Sequence, residues 1–169
     1  FIDASSTAPN NVRVELWQLA NPPTGANYSV VVTLNASAAM KAGSVSLTGV
    51  HQATPIEASA FNSGSSGTAS VSVTTVSGNA WVMDVMGSKT NGGATMIAAA
   101  GRVRRWNASA GGGAAANRIY GAASTRGPIA TAGAVNMNWT LSAILPWAMA
   151  AVAIKQATSA QVLSWAEIN

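Results

Sequence analysis

Groups that could hold or move a proton near neutral pH are scarce in this chain. There is one histidine, His51, and there are five acids: Asp3, Glu15, Glu57, Asp84 and Glu167. Acid–base and metal chemistry need several such groups converging on one point, and these lie far apart in sequence. Cysteine is absent, which removes thiolate nucleophiles, thiolate metal sites and disulfides. No Gly-x-Ser-x-Gly elbow, phosphate loop, EF-hand loop or dinucleotide fingerprint occurs. Gly111, Gly112 and Gly113 alone do not make a phosphate cradle. His51, between Val50 and Gln52, has no second histidine and no acid before Glu57, so it reads as a hydrogen-bonded turn residue. The expectation is a non-enzymatic chain with no cofactor and no metal.

The remaining candidates concern binding. Arg102, Arg104 and Arg105 sit close together, with Arg118 and Arg126 downstream. On a strand Arg102 and Arg104 would share a face, and Arg105 would lie opposite beside Trp106. They could contact an anionic glycan or phosphate; a solvated strand face or a subunit contact is the plainer reading. Six tryptophans, at 17, 81, 106, 139, 147 and 165, could include a sugar-stacking platform. Alternation assigns Trp81, Trp139 and Trp147 to the core, leaving Trp17, Trp106 and Trp165 scattered. Four Asn-X-Ser/Thr triplets, at Asn27, Asn35, Asn107 and Asn138, are acceptors for N-glycans if the chain is exported in a glycosylating organism. Asn138, opposite Trp139, is expected to face solvent. Asp84 lies in an apolar stretch, and a buried carboxylate must be paired or neutral; an arginine from the cluster is the expected partner.

These residues must be carried by strands. Period-2 or doubly apolar runs occur at residues 12–19, 28–34, 44–50, 68–76, 81–86, 96–106, 135–141 and 147–154, separated by Gly, Ser, Asn and Pro. That pattern predicts an all-β chain, an antiparallel β-sandwich of jelly-roll-like or Ig-like form with about eight strands. Residues 147–154 are apolar on both faces and should be central. Residues 62–67 (NSGSSG) read as a flexible turn, and 108–133 as a long, functional or interfacial loop. A short helix near 37–41 is an alternative for that stretch. The abundant alanines read as small residues that let sheets or subunits approach closely.

Of the 169 residues, 49% are hydrophobic and only 8% charged, against about 25% charged in an average protein. The surface must be built from neutral polar residues, which points outside the cell. Nine basic residues against five acids are too few for a nucleic-acid face. The longest apolar run, 143–154, contains Pro146 and falls short of the roughly 20 residues of a membrane-spanning helix. No signal-peptide pattern opens the chain, so an export signal would have been removed or lie upstream.

Several pieces together carry a family resemblance. They are 14–21 (VELWQLAN) with Pro22 and Pro23, 28–33 (YSVVVT), the turn 49–55 (GVHQATP), 81–85 (WVMDV), 105–109 (RWNAS), a glycine-rich loop, 138–142 (NWTLS) and 147–155 (WAMAAVAIK). The stretch from Val12 to Lys155 resembles a β-sandwich module of secreted and surface proteins of bacteria and archaea. The resemblance implies a sandwich fold without enzymatic residues. It also implies two strands upstream, the second ending in a Tyr-Gly-Gly turn followed by a strand that would end near Phe1–Asp3, so a strand is expected from a neighbour or from upstream sequence. The end of the chain resembles a connector into a fibronectin-like domain.

One domain over residues 1–157 is therefore expected, followed by a tail, 158–169, whose Val162, Leu163, Trp165 and Ile168 suit a subunit interface. The function expected is a self-assembling extracellular subunit, of a filament, a pilus-like fibre or a surface layer. Its partners would be copies of itself joined by strand exchange, glycans being a further candidate. A carbohydrate-binding or adhesive module, or a phage tail or capsid-decoration domain, is the alternative.

Overall fold

The structure, a computed structural model of the chain, describes residues 3–8, 12–90, 95–111, 118–157 and 165–166. Among these residues every regular element is a strand and every pairing is antiparallel. In chain order they are β1 (Asp3–Ala8), β2 (Val12–Leu16), β3 (Ser46–Leu47), β4 (Ile56–Thr75) and β5 (Ala80–Thr90). There follow β6 (Met96–Ala98), β7 (Val103–Ala110), β8 (Arg118–Ile129), β9 (Gly133–Ile154) and β10 (Trp165–Ala166). The main sheet runs β4-β9-β5-β8-β7, with β6 added on β9. The all-β antiparallel expectation holds, with ten strands rather than about eight.

Two very long strands organise this sheet. β4 has 20 residues and β9 has 22, and they pair from Ile56↔Ile154 to Thr75↔Gly133. Fully extended, β4 would span roughly 65 Å. Yet the Glu57 carboxylate, at its start, accepts hydrogen bonds from Val76 N (2.8 Å) and Ser77 N, just past its end. The β4–β9 ribbon is therefore doubled over. The fold lies where Gly67 interrupts the register of β4 and residues 141–144 form the excess on β9. Pro146, which lacks an N–H to give the ladder, sits beside this break. Its carbonyl accepts from the buried hydroxyl of Ser88 at 2.9 Å.

The two halves of the ribbon face each other across one core. Ala69, Val71, Val73, Val135, Met137, Trp139 and Leu141 come from one half, and Trp147, Met149, Ala151 and Ala153 from the other. Val82 and Met86 of β5 and Met96 of β6 complete it. A second core lies on the opposite face of the β9 C-terminal half. There Ala148, Ala150, Val152 and Ile154 pack under Val12, Val14 and Leu16 of β2 and under Val50. Residues 147–154 are buried on both faces, as their continuous apolarity predicts. Alanine makes this layering tight, since Ala148, Ala150, Ala151 and Ala153 admit no solvent. Gly87 does the same for β2: a Cβ there would lie 3.0 Å from Val14 Cγ1 and 3.3 Å from Val12 Cγ1.

Several sequence expectations are overturned. Residues 62–67 are the bending part of β4, because their backbone is paired with β9 rather than free. The segment 108–133 is largely strand: β8 occupies most of its second half. Residues 96–106 are two strands, β6 and the start of β7, parted by a turn at Gly101. Residues 28–34 form no strand and 37–41 no helix. The whole stretch 17–44 is irregular and exposed, with no neighbour strand to satisfy its alternation.

Gly87→Val should destabilise the fold by about 1–3 kcal/mol, because the added methyls push into the β-branched Val12 and Val14. A urea titration of the variant against the parent protein measures this directly.

Candidate functional site

Among the residues whose burial is described, the acid in the core is Asp84, on β5, with no solvent exposure. It shares the inward face of β5 with Val82 and Met86, so burial follows from strand periodicity. Ser124 of β8 donates its backbone N–H to Oδ1 at 2.8 Å, and its hydroxyl lies 3.0 Å from each carboxylate oxygen. Trp139 Nε1–H donates to Oδ2 at 3.1 Å. Trp139 belongs to the half of β9 across the core, so this hydrogen bond ties the two facing layers together. Burial pushes the Asp84 carboxyl from its ordinary 3.8 up to about 6, against the opposing pull of the Ser124 and Trp139 hydrogen bonds and the Arg102 charge. A sealed carboxylate whose lone pairs are engaged has no open side toward a substrate. It acts as a cross-link within the core.

Arg102 contributes charge to Asp84, as expected of the arginine cluster, but its hydrogen bonds go elsewhere. It stands just before β7 rather than on it, so it shares no strand face with Arg104. Its guanidinium donates to the Asn136 carbonyl at 2.8 Å, and to the carbonyl and side-chain oxygen of Asn138. Burial, and Arg126 nearby, lower its pKa, while Asp84 raises it. Arg105 Nε donates to Thr125 Oγ1 at 2.9 Å, at a break in the β7–β8 register. Arg104 is exposed. The three side chains are thus turned to separate tasks and do not converge on one anion position.

The other candidates are dispersed. His51 is the turn residue expected: its Nδ1 accepts from Thr54 N at 3.1 Å, and its own N–H donates to the Lys155 carbonyl. Asn27, Asn35 and Asn107 are exposed. Asn138 is only half-exposed, because Arg102 lies on it. Trp139 and Trp147 are buried, and Trp106 packs against Gly43 and Gly121. Trp17, at 67%, is the widely exposed tryptophan among those whose side chains are described. Of the tail, Val162, Leu163 and Ile168 lie outside the described residues. Trp165 is in β10, which pairs with β3 through Trp165↔Leu47 and Ala166↔Ser46. No three His, Cys, Asp or Glu residues gather to hold a metal among the described residues.

The features with the clearest bearing on association are backbone edges. The second half of β4 is a sheet edge, and its own first half caps it. Ser66 Oγ donates to the Thr68 carbonyl at 2.6 Å and accepts from Thr68 N. Asn62 Nδ2 donates to the Ser70 carbonyl at 2.8 Å. Glu57 takes Val76 N and the N–H and hydroxyl of Ser77. At the far end of the sheet β7 is a further edge, as is β6, which pairs with β9 alone. Among the described residues, no side chain caps the backbone of residues 106–110. The capping trio of Glu57, Asn62 and Ser66 escaped the sequence reading. Its role exists only once the ribbon has doubled over, and no local pattern announces it.

Compared with protein-family models, with curated proteins and with solved structures, the chain matches none. The site must be judged on its own geometry.

Asp84 makes the stability of the protein depend on pH with a definite sign. Its folded pKa is raised, so its stabilising contribution is full below about pH 3.8 and is lost as pH rises through about 6. The loss is on the order of 3 kcal/mol. Urea unfolding at intervals from pH 4 to 7 should show this decline, and Asp84→Asn should flatten it.

Proposed function

We propose that this chain is a non-enzymatic, extracellular structural subunit that self-assembles into a filament, pilus-like fibre or surface lattice by strand exchange between neighbours. The observation that carries this reading is the stretch 17–44, which leaves large apolar side chains in water. Leu19 is 73% exposed, Val30 75% and Val31 81%. Large apolar side chains left this exposed, five of them between residues 28 and 34, mark an interaction surface. Its setting, a surface with few charges, is compatible with close packing of identical subunits. The resemblance to modules of secreted and surface proteins supports the same location.

The tail supplies one candidate exchange. Among the described residues, β10 holds β3 through two residue pairs. Transferring it to the β3 of a neighbour, in the same register, breaks little and rebuilds the same contacts. Donor and acceptor then lie on different parts of one chain, and such head-to-tail contacts propagate unless the rotation closes a ring. A sugar-binding reading would draw on Trp17, but Trp106 is covered by Gly43 and Gly121, so no shared aromatic platform supports it.

Negative-stain electron microscopy of the intact protein should show ordered fibres or sheets. Deleting residues 160–169 should reduce them to monomers or disordered aggregates. A protein that stays monomeric at the highest attainable concentration would count against self-assembly. Normal fibres from the truncated chain would count against the tail as donor.

A further inference from the structure

Within the exposed stretch, residues 28–34 (YSVVVTL) have the composition and alternation of a strand. Tyr28, Val30, Val32 and Leu34 fall on one side, and Ser29, Val31 and Thr33 on the other. Val and Tyr favour pleated, paired backbone. Among the described residues, 18–45 make no hydrogen bond, so no described group pairs with the backbone of this potential strand. No Asp, Glu, Lys or Arg occurs from residue 16 to 40. Nothing in the segment resists approach to another copy by like charge.

Its anchor is defined. Gly43 lies against the Trp106 indole, where an added Cβ would collide with Nε1, and the Lys41 Cβ sits over Gly121. Trp106 belongs to β7 and Gly121 to β8. The segment is thus rooted on the face of the β7–β8 pair, next to the β7 edge, and residues 28–34 do not pair with their own β7. Proteins commonly blunt exposed edges, and this one does so along β4 with Glu57, Asn62 and Ser66. The β7 edge, which meets no capping side chain among the described residues, lies next to the place where the unpaired segment is rooted.

We infer that residues 28–34 add as a strand to the β7 edge of a second copy of this chain, an inference that rests on the self-association reading. Backbone hydrogen bonds along residues 106–110 would supply the affinity. Alternation of the apolar side chains would fix the register. This contact differs from the tail exchange in both donor and acceptor, so the two can be tested apart.

The absence of cysteine allows a clean test by disulfide trapping between two differently substituted chains. Val31→Cys and Val32→Cys chains are each mixed, under mild oxidation, with Ser109→Cys chains. All three positions are exposed, and far-UV circular dichroism should confirm unchanged folding. One of the two adjacent arm positions, the one on the Ser109 face, should give roughly tenfold more mixed disulfide than an Ala20→Cys control, because docking raises the local thiol concentration. Yields equal to the control overturn the inference. So does a disulfide that forms only inside a single chain carrying both cysteines, since the segment then closes on its own β7. If trapping fails while light scattering still shows assemblies of the intact protein, self-association stands and this contact falls. If the intact protein is also monomeric, both fall.

Discussion

The rest of the structure depends on one constraint: a ribbon of two strands, each about twenty residues long, has to double over on itself. Antiparallel pairing of β4 with β9 satisfies both backbones along their length, but an isolated ribbon has no hydrophobic interior and is marginal in water. Doubling it brings the odd-numbered residues of both β9 halves into one core. The bend concentrates residues that tolerate broken pairing. Gly64 and Gly67 lie on β4, and Pro146, with its carbonyl held by Ser88, lies on β9. Side chains then stitch the two halves together. Asn62 Nδ2 reaches the Ser70 carbonyl at 2.8 Å, and at the open end Glu57 accepts from Val76 N at 2.8 Å and from Ser77 N.

Asp84 belongs to the same constraint. Once the halves face each other, the indole N–H of Trp139 is buried and needs an acceptor. The carboxylate on the opposite layer provides it. A neutral acceptor would remove the burial cost, yet the carboxylate accepts from Ser124 as well and couples β5, β8 and β9 through one group. The cost appears as a raised pKa. When Asp84 is protonated, the Ser124 hydroxyl can reverse its role and accept, so the network survives the change of charge.

The sequence conveyed the elements that alternate or are apolar throughout, and it failed where the local pattern is ambiguous. The doubly apolar 147–154 was legible as a central strand because a strand covered on both faces needs no polar positions. Trp139 and Asp84 were legible as buried, although the tryptophan, rather than an arginine, proved to be a hydrogen-bond donor to the acid. NSGSSG was misread because glycine and serine mark turns on average. Here they supply a strand that must bend and must lie under the Trp147 ring, close to Gly64. Residues 108–133 were misread for a related reason: Gly121, Ala122 and Ala123 are small because Trp106 and the core press on them, not because the backbone is loose. The arginine cluster could not be resolved from spacing, since a turn before β7 and a break after Arg104 send three neighbouring side chains to three places.

Edge protection connects the interior to what the outside can do. The same doubling that builds the core places Glu57, Asn62 and Ser66 against the backbone of β4's second half, so this edge is closed at no expense in extra chain. β9 is covered on both sides and both faces over its C-terminal half, which leaves it no capacity for a partner. Among the described residues, the β7 end of the main sheet keeps backbone that meets no capping side chain over residues 106–110. Excess strand-forming sequence is confined to the stretch between β2 and β3. A large apolar side chain gains about 1.5–3 kcal/mol on full burial, while association costs several kcal/mol in lost freedom. A single exposed valine cannot offset that loss. Tyr28, Val30, Val32 and Leu34, aligned on one side and brought in together with a run of backbone hydrogen bonds, can.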